Sequence, residues 1–107
     1  MKQKILEYLN SAFGLDGSDA EELFVSYVQS INENVEKLGR EAAAKDFAAV
    51  AKTAHSIKGC ALNCGHTEMA EAAKAAEFAA KAQESGPLDE NAAKISAIGK
   101  SLVEELK

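Results

Sequence analysis

The chain has 107 residues, a net charge of −5, one proline, no tryptophan and two cysteines. That length suits one domain with one core, and the alanine-rich composition with interspersed charges points to helices rather than a sheet. An acidic balance with scattered lysines excludes the clustered basic surface that nucleic-acid binding needs. No apolar run nears the roughly 20 residues that cross a bilayer, and Met1-Lys2-Gln3-Lys4-Ile5 has no signal-peptide apolar core, so a soluble, cytosolic protein with no membrane contact is expected.

In chain order, residues 4–13 read as a short first helix with Ile5, Leu9 and Phe13 on one stripe and Leu6 beside it. Gly14-Leu15-Asp16-Gly17 supplies turn residues. Ser18 and Glu21 have capping-box spacing, which starts a second helix that runs to about Leu38. Its expected core stripe is Leu23, Tyr27, Ile31, Val35 and Leu38, widened by Phe24 and Val28, with Gly39 as the stop. Arg40 to Lys45 is then a tight helical connector, and Asp46 an N-cap for the next helix.

A third helix spans Phe47 to Cys64, closed by Gly65 in a left-handed conformation. The very short link that follows makes the third and fourth helices an antiparallel hairpin. Thr67 caps the fourth helix, whose core side is Met69, Ala73, Ala76 and Ala80; small residues there let two helices approach closely. Phe78 falls opposite that stripe, against another helix or in solvent. Ser85-Gly86-Pro87 breaks the fourth helix and places proline in the first turn of a fifth, with a seam of Leu88, Ala92, Ile95, Gly99, Leu102 and Leu106. The expected fold is all-α: an antiparallel four-helix bundle with an additional short N-terminal helix, in a single domain over 1–107.

The third helix carries the chemistry. At about 100° per residue, Ala48, Ala51, Lys52, Lys58, Gly59 and Leu62 fall within roughly 60° of His55, whereas Val50, Thr53, Ile57, Cys60, Ala61 and Cys64 fall on the other side. The helix buries the second set and presents His55 to solvent between two lysines, a face suited to an anion. Glycine inside a helix costs about 1 kcal/mol relative to alanine, so Gly59 reads as clearance beside His55, the alternative being a close helix crossing. Cys60 and Cys64 read first as core filling. A small thiol or metal protein using Cys60, Cys64 and His66 is the competing reading, although zinc usually takes about four ligands.

His55, Ile57, Lys58, Gly59, Cys60, Ala61 and Gly65 together resemble the signature of the histidine phosphotransfer (HPt) domains of two-component phosphorelays. Asp46 upstream and Ala76-Glu77 downstream match what such domains usually carry, and the expected bundle is their fold. Cys60 in place of the commoner serine or alanine, and Cys64 in place of an aliphatic residue, are mild departures. The resemblance implies that His55 is phosphorylated, with Lys58 and Gly59 beside it. It also implies that Leu62, Ala51, Lys52 and Ala48 form the face that docks a response-regulator receiver domain, itself free or part of a hybrid histidine kinase.

The residues agree with that chemistry. An exposed neutral imidazole is a competent nucleophile for an aspartyl phosphate, and a lysine one turn away offers a point charge to phosphoryl oxygens. Phosphoryl transfer typically needs Mg²⁺, but the chain has no carboxylate cluster near His55 in sequence, no phosphate-binding glycine loop and no room for an ATP domain. A monomeric carrier without kinase activity, cofactor or metal site of its own is therefore expected, with Mg²⁺ on the partner receiver domain. The other competing class is a phosphate-independent helical binding module on the same fold.

Overall fold

The apolar stripes and short polar breaks resolve into five helices in a computed structural model that describes residues 1–106. They are α1 (Lys2–Phe13), α2 (Gly17–Ala43), α3 (Phe47–Asn63), α4 (Thr67–Lys81) and α5 (Ser85–Glu104), with no strand among the described residues. Each of α2 to α5 packs on the next, and α5 returns to α2, which closes a four-helix bundle; α1 lies against α2. The links between α2 and α3, α3 and α4, and α4 and α5 are short, so successive helices run antiparallel. No helix among the described residues is long and apolar enough to cross a membrane.

The core is filled by Ile5 and Leu9 of α1, Phe24, Tyr27, Val28, Ile31 and Leu38 of α2, Val50, Ala54, Ile57 and Ala61 of α3, and Leu88, Ile95 and Leu102 of α5. From α4 come Met69 and the alanines at 70, 72, 73, 76, 79 and 80. A helix faced with alanine lets its neighbours come close, and α3 and α4 make the most extensive helix pair of the bundle.

Several boundaries differ from expectation. α2 begins at Gly17 after Asp16, with no side-chain capping bond, so Ser18 is not its cap. It also continues through Gly39 to Ala43, because Leu38 and Ala42 on either side are both buried, and that burial outweighs the roughly 1 kcal/mol cost of an exposed glycine. What ends α2 is Lys45 at φ 56°, where the Asp46 N–H donates to the Glu41 carbonyl at 3.0 Å. The same turn closes α4 at Gln83, φ 56°, ahead of Ser85-Gly86-Pro87. Thr67 is the first residue of α4, and His66 takes the capping position. Phe13, the last residue of α1, and Leu106, beyond the end of α5, are exposed rather than core, as is Leu23, in whose place Phe24 fills the interior.

Asp46 does cap α3, its Oδ1 accepting from the Ala49 N–H at 3.2 Å. Gly65 closes α3 at φ 68°, with the His66 N–H donating to the Ala61 carbonyl at 2.9 Å. The Tyr8 ring of α1 lies directly against Gly65, where a Cβ would stand. Gly99 makes the close approach between α5 and α2: a Cβ there would meet Asn32 Oδ1 at 3.0 Å, and Asn32 Nδ2 donates to the Val28 and Gly99 carbonyls. A Cβ at Gly59 would meet nothing within 4 Å.

The same substitution should therefore act with opposite sign at Gly59 within α3 and at Gly65 just beyond its end. Gly65→Ala forces a left-handed backbone costing about 1–2 kcal/mol and displaces Tyr8, so its urea midpoint should fall. Gly59→Ala removes only the helix penalty and should raise the midpoint, by up to about 1 kcal/mol of stability.

Candidate functional site

Burial of Val50, Thr53, Ala54, Ile57 and Ala61 fixes the rotation of α3 about its axis, and with it the opposite face. There Ala48, Lys52, His55, Gly59 and Leu62 are exposed, while Ala51 and Lys58 are half-buried. The seven residues singled out on this face thus share one surface. The His55 side chain is 67% exposed and Leu62 is 54% exposed. Open space at Gly59 shows that no helix crosses there.

The structure adds a carboxylate from the neighbouring helix. Glu77 stands at the edge of the alanine face of α4, 8% exposed, and reaches across the α3–α4 seam. Its Oε2 lies 3.2 Å from His55 Nδ1 and 3.2 Å from Lys81 Nζ. Its Oε1 accepts from Lys58 Nζ at 3.0 Å. Burial pushes the Glu77 carboxyl up, but the hydrogen bonds and charges of Lys58 and Lys81 outweigh it and hold the group below the usual carboxylate range. The carboxylate is therefore ionised near neutral pH and can only accept. Nδ1 of His55 then carries the ring proton, and the Nε2 lone pair is left for chemistry on the open side of the ring. A shallow hollow beside the ring is lined by Ala51, Lys52, Ser56, Glu77 and Lys81.

In the sequence Glu77 stood out only as a residue that matches the HPt pattern, and Lys81 did not stand out. The pair had a local signal, since a glutamate four residues before a lysine is a helix-surface pairing. Its link to His55 had none, because the register of α4 on α3 is set by alanine packing along the whole seam.

The remaining candidates lie elsewhere. Cys64 is buried and Cys60 partly so. Burial pushes both thiols up, Cys64 to about 11, so they are protonated packing groups near neutral pH. His66 is 6% exposed, with Nδ1 2.7 Å from Tyr27 Oη. Phe78 stands 65% exposed on the outer side of α4, which settles its place.

No curated protein and no solved structure matches the chain. The family model of the Hpt domain matches residues 6–107. The exposed histidine on a bundle helix and the match over essentially the whole length agree: the chain belongs to the Hpt domain family, whose members have a histidine-phosphotransfer role in phosphorelays.

Proposed function

We propose that the chain is a phosphorelay intermediate that takes a phosphoryl group onto His55 from a receiver-domain aspartate and passes it to another receiver. The observation that carries this reading is the ionised Glu77 on His55 Nδ1 with the far side of the ring open. Nε2 attacks the phosphorus in line, the bond from phosphorus to the aspartyl oxygen breaks, and the aspartate leaves as a carboxylate. The ring becomes an imidazolium whose Nδ1–H stays on Glu77. Onward transfer is the same exchange in reverse, with imidazole as leaving group.

The lysines answer the charge that arrives. Glu77 holds Lys58 and Lys81 before transfer, and both side chains are long enough to turn toward a phosphoryl group beside the ring, where an ammonium acts as a point charge. Lys52 borders the same hollow. Mg²⁺ and the aspartate belong to the receiver on this reading, which leaves the chain a carrier without kinase activity of its own. Leu62 offers an apolar contact for the receiver, the small side chains of Ala48 and Ala51 keep the approach open, and Tyr8 of α1, 38% exposed and seated on Gly65, extends the surface.

His55→Gln should retain helicity and melting behaviour yet accept no phosphate from a phosphorylated receiver. Acid-labile, base-stable label remaining in that variant, on His66 for example, would overturn the assignment. Glu77→Gln keeps an acceptor at Nδ1 but removes the charge. A charge-assisted hydrogen bond is worth about 1.5–3 kcal/mol, and screening at an exposed ring favours the lower end. Transfer onto His55 should thus slow by up to about tenfold, whereas the return transfer, which starts from the imidazolium that Glu77 stabilises, should not slow, as read in single-turnover assays.

Charge and docking separate in a further pair. Lys58→Ala should shorten phosphohistidine lifetime or slow transfer more than it weakens receiver binding. Leu62→Glu should weaken receiver binding and leave the decay of phosphate already on His55 nearly unchanged. Wild-type behaviour of both variants in both measurements would mean that this face is not the transfer surface.

A further inference from the structure

Away from the His55 face, a second histidine is built into the bundle. His66 sits in the α3–α4 link, 6% exposed, as the residue that caps α4. Its Nδ1 shares a hydrogen bond with Tyr27 Oη of α2 at 2.7 Å, and the two rings meet edge to face at 5.8 Å. Nε2 is buried and has no partner among the described residues. This one side chain ties the α3–α4 turn to the middle of α2.

From these contacts we propose that the Tyr27–His66 pair is a proton-sensitive latch, closed when His66 is neutral and loosened when it is protonated. Three features oppose the charged ring. Protonation makes both nitrogens donors, and only Nδ1 has an acceptor, the Tyr27 oxygen, so a second N–H is buried unbonded at a cost comparable to a lost hydrogen bond. The ring also stands at the N-terminal end of α4, where the helix dipole disfavours a cation. The groups around it are Tyr27 from α2, Lys4 and the chain's amino group from the α1 side, and the carboxylates of Glu68 and Glu105 from α4 and beyond the end of α5, with the protonated thiols of Cys60 and Cys64 beside Tyr27. The two carboxylates favour the cation and the amino group opposes it, while burial is the largest influence and sets the net direction, holding the ring below its ordinary value.

The sign of the pH effect follows. A histidine whose folded pKa is depressed binds more protons when unfolded, so its stabilising contribution is complete above the unfolded value near 6.5 and is lost as pH falls toward the folded value. Glu77 acts in a separate, lower window: its carboxyl is held below the carboxylate range, so its contribution is present above the unfolded value and is lost only as pH falls through the folded one. Gly65, against which Tyr8 rests, is adjacent to His66, and Leu62 is one turn earlier on α3. Acidification therefore loosens the α1-covered end of the bundle before the carboxylates respond.

The chain has only two histidines, so His55→Gln leaves His66 as the one imidazole to follow. In that variant, ring-proton NMR should place the His66 titration below the ordinary histidine value. The folding equilibrium constant from urea unfolding should fall with pH below about 6.5, by no more than about tenfold per unit for the one proton involved. Amide protection over residues 65–70, corrected for intrinsic exchange, should fall more than protection in the second half of α4. Adding His66→Asn should flatten the stability profile between pH 6.5 and 5.5. An ordinary His66 titration with pH-independent stability would overturn the latch, as would an unchanged slope after His66→Asn. The titration needs no change at His66, so it decides the question even where that substitution prevents folding. None of these readouts depends on phosphate transfer.

Discussion

How near α4 lies to α3 controls everything at the His55 face. A glutamate side chain is short, and Glu77 reaches a histidine on the next helix only because the seam between them is lined by small residues. Ala54 and Ala61 on one side, and Ala70, Ala73 and Ala76 on the other, are all buried. Leucines in those places would hold the axes farther apart and leave the carboxylate short of the ring. The alanine content that gives the sequence its bland appearance thus sets the geometry of its least bland residue.

The seam has an electrostatic counterpart. A carboxylate at the border of an apolar face is unfavourable unless paired, and Glu77 is held by Lys58 across the seam and by Lys81 one turn along its own helix. These pairs keep it ionised, which in turn fixes the tautomer of His55. Lys58 and Lys81 thus help to hold the proton of the neutral imidazole on Nδ1.

Much of this was legible in the sequence. The rotation of α3 followed from one helical period, because its apolar residues are consistent along the whole element, and every residue assigned to the His55 face lies there. The core of α4 was equally plain. Boundaries were less so, since the sequence rules assign left-handed turns to glycine, and here Lys45 and Gln83 adopt them with no local mark, while Gly39 lies inside a helix held by its neighbours. The stripe of α2 went astray at Leu23, because Leu23 and Phe24 are both apolar and only tertiary packing chooses between them. The ionic links of Glu77 and the Tyr27–His66 pair join residues distant in sequence, and periodicity within one helix carries no information about such pairs.

His55 occupies the midpoint of a 17-residue helix, unlike a nucleophile on a loop or lid. Its backbone is already fixed by hydrogen bonds on both sides, so only side-chain torsions need to be ordered when a partner arrives, and the entropic cost of reaching a reactive pose is small. On the proposed mechanism the empty and loaded carrier also present the same backbone to both partners, with no closure step to distinguish arrival from departure. Such a carrier imposes no direction. On that mechanism the flow of phosphate through it would follow the relative phosphorylation of the receivers it meets, and a rigid helix would make the relay reversible and leave its control to its neighbours.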